Sequence, residues 1–341
     1  MSVRLLPDAL ESWTSRVFET CNVPPAQAAE AASVLVRSEL RGYGTHGMTR
    51  LASYVERLQS DAFNSRPTIT NKAFPGGIVV DADGAMGQLA GPYAVRLGLD
   101  ALKTSASVLV VIQACGHLGA LGIHTLLAAE GGAFSMMGQH TPPALAMEGF
   151  RGAAIGHNPI AFGCPRPGHA PIVFDVACSV AARGHILLAA RDGEPIPEGW
   201  ALDAEGQPTT DAKRALRGSL LPMGGHKGIG IAMMVECLAG ALTAAAPAAA
   251  PAPAPQRRAA MQAAFLWLVR PEQYAGQPAF GDYMNDWTET YRAAGGDGAR
   301  LPGERGDVLE RQAREEGVTL PASIAQELRT LGDRLRVGFP G

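Results

Sequence analysis

The chain has 341 residues, 47% hydrophobic and 18% charged, with 41 glycines and a formal net charge of -3. This is the composition of a globular protein with one compound fold or two closely packed domains, not of a disordered chain. Without a long basic run there is no electrostatic reason to expect nucleic acid or an anionic membrane as partner.

The N-terminus has no apolar stretch of signal-peptide length, and no segment is apolar enough for long enough to span a bilayer, so a cytoplasmic protein is expected. The five cysteines (Cys21, Cys115, Cys164, Cys178 and Cys237) are scattered and form no CxxC pair, which predicts reduced, mostly buried thiols without a disulfide framework or zinc knuckle. Residues 7–41 read as helix, with Pro7 and Pro25 in first-turn positions and Gly42 as the C′ residue. RGYGTHGMTRLASYVERL then restarts the helical period: Met48, Leu51, Tyr54, Val55 and Leu58 recur at three-to-four spacing after a Thr45 N-cap. His46 thereby falls in a first helical turn, where the macrodipole should push its pKa down.

From about 75 to 235 short apolar runs alternate with Gly-rich turns and Ala/Leu helices, an α/β pattern. GGIVVDADG, SVLVVIQACG, GGAFSMMGQ and APIVFDVACS are the predicted strands. Residues 243–256, TAAAPAAAPAPAPQ, cannot hold a continuous helix and read as an exposed loop. A strand (AAFLWLVRP), an amphipathic helix around Tyr283–Ala293 and a final helix from Pro321 to Arg336 complete the chain.

The commonest catalytic and nucleotide-binding motifs are missing. No G-x-G-x-x-G follows a strand with an acidic residue about twenty positions on, and there is no Walker A loop, HExxH or GxSxG. His117 and His124 have no nearby carboxylate in sequence, so no metal site is expected. The informative pair is His46 with Arg50, four apart and hence on one helix face. A guanidinium can grip a carboxylate bidentately while an imidazole one turn away reaches an adjacent C2 oxygen, which suits a 2-oxo acid. The competing reading is a solvated helix face; Gly42, Gly44 and Gly47 weigh against it, because each is costly in a helix unless backbone must approach a ligand. His117 and Asn158, beside glycines at strand ends, read as satisfied structural groups. Lys227, in GGHKGIG ahead of an apolar helix, suits a phosphate.

Taken in order, RGYGTHGMTRLASYVERL, GHLGA, GHNPIAFGCP, FDVACSVAARG, IPEGWALDAEGQPTTDA, LPMGGHKGIGIAMMVECLAG and LPGERG with REEGVTL resemble the malate/L-lactate dehydrogenase family of the non-Rossmann type. That family includes ureidoglycolate, sulfolactate and diketogulonate oxidoreductases and cyclic imino acid reductases, and the resemblance runs almost end to end. It implies a homodimeric NAD- or NADP-dependent enzyme acting at C2 of a small 2-oxo, 2-hydroxy or 2-imino acid. The fold implied is α/β: a helical N-terminal portion (1–72) carrying the catalytic histidine and joined by C-terminal helices, a mixed-sheet nicotinamide-binding domain (73–310), and a C-terminal helical segment (311–341).

The resemblance also implies roles. His46 is the proton donor or acceptor, with Thr45 before it where serine is usual, and Arg50 is the carboxylate clamp. The segment Ile172, Val173, Phe174, Asp175, Val176 and Ala177, the pair His226 and Lys227, and the turn Gly303, Glu304 and Arg305 line the cofactor, with His117 near the nicotinamide. His140, His157 and His185 depart from the family pattern at positions that shape the substrate pocket. Two alternatives stay open: a cyclic 2-imino acid reductase, and a catalytically silent ligand-binding protein on the same scaffold.

Overall fold

The computed structural model describes residues 2–244 and 262–341; residues 245–256 of the expected Pro/Ala loop lie outside the described residues. The first helical stretch is two helices, Pro7–Glu19 and Pro25–Leu40, each with proline in its first turn. Gly42 closes the second in the left-handed region (φ +79), with the amide of Tyr43 donating to Ser38 O, as a C′ glycine does. These helices bury Leu10, Trp13, Val17 and Phe18 against a face rich in alanine (Ala28, Ala31, Ala32). Each large side chain so buried contributes about 1.5–3 kcal/mol.

The chain's last elements complete this layer. Val318–Leu320 pairs antiparallel with Val3–Leu5, the helix Ala322–Leu335 packs on Leu51–Gln59, and Trp13 Nε1 donates to Val337 O at 3.0 Å. The N-terminal and C-terminal helices thus form one layer.

A seven-stranded sheet is ordered Thr70–Phe74, Gly77–Asp81, Ser107–Cys115, Gln262–Val269, Phe134–His140, Ile160–Arg166, His169–Val176. The pair Gly77–Asp81 with Ser107–Cys115 is parallel and every other pair in it is antiparallel. A dinucleotide fold of the usual kind needs a run of parallel strands that feed helix N-termini; this mixed sheet has a single parallel pair, in keeping with the missing glycine fingerprint. The four predicted strands all occur, and AAFLWLVRP forms a central strand. The helix expected around Tyr283–Ala293 is longer, Gln277–Gly295, and the helix Glu304–Glu316 runs through residue 310.

Five short strands make a second sheet, ordered Pro208–Thr209, Ala201–Leu202, Ser219–Leu220, Pro143–Leu145, Ile155–Gly156, over a separate small core around Ile186 and Ala232. Among the described residues no helix is long and apolar enough to cross a membrane. All five cysteines are free; Cys21, Cys115 and Cys178 are buried and Cys237 is exposed.

Candidate active site

The segment after Gly42 corrects one expectation. Instead of a helix capped by Thr45, two 3-10 turns, Gly44–His46 and Met48–Arg50, are separated by Gly47, and the α-helix starts only at Leu51. Gly47 breaks the helical run because its backbone lies against Glu39: a Cβ there would sit 2.3 Å from Glu39 Oε2 and 3.0 Å from Glu39 backbone. Glu39 Oε2 in turn accepts from the Met48 amide at 2.8 Å. Thr45 does not cap a helix; its hydroxyl lies 3.0 Å from His46 Nδ1.

His46 and Arg50 are therefore brought together by a folded turn and not by one helix face. Arg50 Nε donates to Thr45 O at 2.7 Å. His46 is held down to a pKa of about 4, first by burial, then by the Arg50 cation and by His157. The direction agrees with expectation, but the cause is desolvation and a neighbouring charge, not a helix dipole.

Opposite His46 stands His117, ring centroids 5.5 Å apart. Its Nδ1 meets Tyr54 Oη at 2.8 Å, and Gln88 Nε2 donates to the same hydroxyl at 3.1 Å and, more loosely, to His117 O at 3.5 Å. With the amide facing two acceptors, the Tyr54 O–H donates to Nδ1, which leaves the proton of neutral His117 on Nε2. Burial keeps that ring neutral, its pKa well below the usual histidine value. Tyr54 and Gln88 were not singled out in the sequence. The available signal was a tyrosine inside an apolar stripe, since a buried phenol needs a partner. Tyr54→Phe should strand His117 Nδ1 and the Gln88 amide in buried space and cost about 1–3 kcal/mol. Thermal unfolding checks this, and an unchanged midpoint would show that the hydroxyl holds nothing.

His157 bears electrostatically on His46, and its own pKa is lowered by burial, Arg183 and Arg50. Its Nδ1 is 3.3 Å from Thr141 Oγ1. Arg183 was also not foreseen; it begins a helix, Arg183–Asp192, whose Gly184 lies 4.0 Å from Thr45 at its Cβ position. His140 and His185 are not among the groups acting on His46. His140 is buried with Nε2 3.3 Å from Glu236 Oε1, while His185 is exposed near Trp200. Asn158 is structural, as its setting suggested: it accepts from the Thr141 amide and donates to Ala232 O and Glu236 Oε2.

The remaining positions follow the strand His169–Val176. Ile172 and Val173 are buried, Phe174 is 41% exposed, and Asp175 Oδ2 accepts from the Gly122 amide at 2.7 Å. Burial raises the Asp175 carboxyl to about 6 despite that bond, and Asp175 with burial pushes Tyr43 to about 12. Just past Ala177, Cys178 O accepts from Met223 N. This sets left-handed Gly224 and Gly225, then exposed His226 and Lys227 at the start of helix His226–Val235, beside the strand end. At mid-strand, Val173 N donates to Pro302 O, and Gly303 (φ +94) lies so close that a Cβ would come within 2.9 Å of Val173 N. Buried Arg41 ties this turn to the one carrying His46: it donates to Gly303 O and Glu310, while Gly42–His46 follows it directly.

A profile of the malate/L-lactate dehydrogenase family matches residues 6–329. The chain belongs to that family. Its relatives are dehydrogenases and reductases, and this member is an oxidoreductase. A Δ1-pyrroline-2-carboxylate/Δ1-piperideine-2-carboxylate reductase of Pseudomonas aeruginosa is 33% identical over 338 residues, 96% of this chain and 99% of the relative. A (2R)-3-sulfolactate dehydrogenase (NADP(+)) of Chromohalobacter salexigens is 33% identical, covering 94% and 95%. Among solved structures, a Δ1-piperideine-2-carboxylate reductase of Pseudomonas syringae aligns with a TM-score of 0.88 at 28% identity, over 96% of this chain and 99% of that one.

Proposed function

We propose that this oxidoreductase moves a hydride to or from C2 of a small 2-oxo or 2-hydroxy acid, with His46 exchanging the proton and Arg50 holding the carboxylate. The observation that supports this most directly is the half-buried triangle of His46, Arg50 and His117. One neutral imidazole is free to trade a proton, one guanidinium is free to pair, and a second imidazole presents an Nε2–H beside them. Arg50 spends only Nε on Thr45 O, so its two terminal nitrogens remain for a carboxylate fork.

The chain's residues fit a nicotinamide dinucleotide. Asp175 to Ala177, His226 with Lys227, and Gly303 to Arg305 would hold it, the last through backbone that only glycine allows so near Val173. Buried Arg166 leaves Nε without a partner at the edge of that turn. When bound, the nicotinamide supplies or accepts the hydride. His46 then needs its proton for reduction and must lack it for oxidation.

With the pKa of His46 at about 4, the free enzyme is nearly all neutral imidazole at neutrality. Oxidative kcat/KM should stay flat from about pH 6 to 8, where an unperturbed histidine would titrate near 6.5. Reductive kcat/KM on a 2-oxo acid should fall with rising pH over the same interval. A bell or step centred near 6.5 in the oxidative profile would contradict the assignment.

A second reading, reduction of a cyclic 2-imino acid, is favoured by several Δ1-pyrroline-2-carboxylate reductases at 33–34% identity. The same clamp and acid serve it. A panel of 2-oxo acids, 2-hydroxy acids and cyclic imines, followed by absorbance of the reduced nicotinamide, separates the two; no turnover of any would leave the silent scaffold.

We further propose a cytoplasmic homodimer. Tyr283 (69% exposed), Trp287 and Tyr291 recur every four residues on helix Gln277–Gly295, an aromatic stripe of the kind subunit interfaces cover. A monomeric mass by light scattering would refute this.

A further inference from the structure

We infer that the cleft between helices Gln277–Gly295 and Glu304–Glu316 is a seat for the 2′-phosphate of NADP(H), so that this chain prefers the phosphorylated cofactor; the inference rests on the oxidoreductase reading above. The cleft has a volume of about 440 Å³ and is lined by Arg166, Arg292, Arg300, Arg305 and Arg311 together with two acidic residues, Glu304 and Asp307. Those two carboxylates are already engaged. Glu304 pairs with Arg292 and lies 3.8 Å from Arg166, and Asp307 pairs with Arg311 at 3.0 Å within its own helix.

The surplus falls on particular residues. Arg300 and Arg305 are exposed and make no ion pair among the described residues. Arg305 occupies the first turn of helix Glu304–Glu316, where the helix dipole disfavours a cation and the amides lack partners within the helix. Arg166 is only 7% exposed, yet its Nε has no partner. Unpaired arginines, a helix N-terminus and the buried Arg166 line one open volume, and a dianionic phosphate there would offset their surplus positive charge.

Position selects which phosphate. The cleft includes His169 and Ala170 at the start of the strand whose other end carries Asp175. Asp175 adjoins Gly122 and Tyr43, and Tyr43 O accepts from the His46 amide. At roughly 3.3 Å per residue the strand separates the two ends by about 20 Å, a distance that an extended dinucleotide covers. The group reaching the cleft is then the adenosine end, and the anion peculiar to that end is the 2′-phosphate; the pyrophosphate belongs midway.

Isothermal titration of the full chain with NADPH, NADH, adenosine 2′,5′-bisphosphate and 5′-AMP tests this without turnover. NADPH should bind more than about tenfold tighter than NADH, and the bisphosphate should outbind 5′-AMP, the margin shrinking as salt is raised. Arg300→Ala should weaken NADPH and the bisphosphate by about ten- to 150-fold, the range for charge-assisted hydrogen bonds. NADH affinity should hold within about twofold, that range being absent for a ligand without the phosphate. An unchanged thermal midpoint of the variant shows that this exposed position has not unfolded it, and Arg300→Gln provides a second variant should it shift. Equal affinity for both dinucleotides, or equal weakening of both, would overturn the 2′-phosphate assignment alone. Failure of either dinucleotide to bind would instead overturn the oxidoreductase reading.

Discussion

Replacing His46 by glutamine is expected to lower kcat by about 10²- to 10⁴-fold, the contribution of a positioned proton-transfer group. Glutamine keeps a polar head of similar reach, so the contact with Thr45 Oγ1, 3.0 Å from Nδ1 in the parent, can survive while proton exchange cannot. The loss should therefore appear in kcat, and the affinity for reduced nicotinamide cofactor, followed by its fluorescence, should barely move. The two measurements together distinguish chemistry from collapse of the site. If turnover were unchanged, the proton would have to come from elsewhere, and His117 at 5.5 Å would be the first group to replace.

The second large effect is expected at Arg50. Its Nε is committed to Thr45 O at 2.7 Å, so the side chain anchors its own turn and offers a two-pronged fork to the substrate. Lysine cannot do both, because an ammonium lacks the planar pair of parallel donors. Losing charge-assisted bonds to the substrate carboxylate should cost about 1.5–3 kcal/mol, or about ten- to 150-fold in kcat/KM. The carboxylate is present in both ground and transition states, so much of the loss should fall on KM, with a smaller loss in kcat if the clamp also aligns C2. Arg50→Met should be worse than Arg50→Lys. Unaltered steady-state constants, or a selective loss of cofactor binding, would mean that this arginine faces another ligand. Removing the guanidinium should also let the His46 pKa rise, since its charge is the second cause of the depression.

Much of the helical layer and the larger sheet was legible because periodicity and glycine placement are local signals. Pro7, Pro25 and Gly42 marked the helix boundaries, and four apolar runs became strands. The turn carrying His46 was misread for a physical reason. Met48, Leu51, Tyr54, Val55 and Leu58 keep a helical spacing across a break that only the contact of Gly47 with Glu39 imposes, and no local pattern records a tertiary contact. The same holds for Tyr54 and Gln88, which reach His117 from distant segments, and for Arg183, which bears on His157 from the helix Arg183–Asp192. His140 reads as a pocket residue because it departs from the family pattern, and its burial against Glu236 was invisible without the fold.

The pairing of Val3–Leu5 with Val318–Leu320, and the bond from Trp13 to Val337 O across 324 residues of sequence, bear on how the protein is made. Helix Pro7–Glu19 cannot have Trp13 fully covered until the segment around Val337, 324 residues further along, has been synthesised. Until then the outer side of Trp13 waits as exposed apolar surface, a state that favours aggregation or chaperone capture over early closure. Contacts of such sequence separation are also the slowest to form. The layer that holds His46 is thus the last to be sealed, and catalytic competence should arrive late in refolding, after the central sheet has gained its protection from hydrogen exchange.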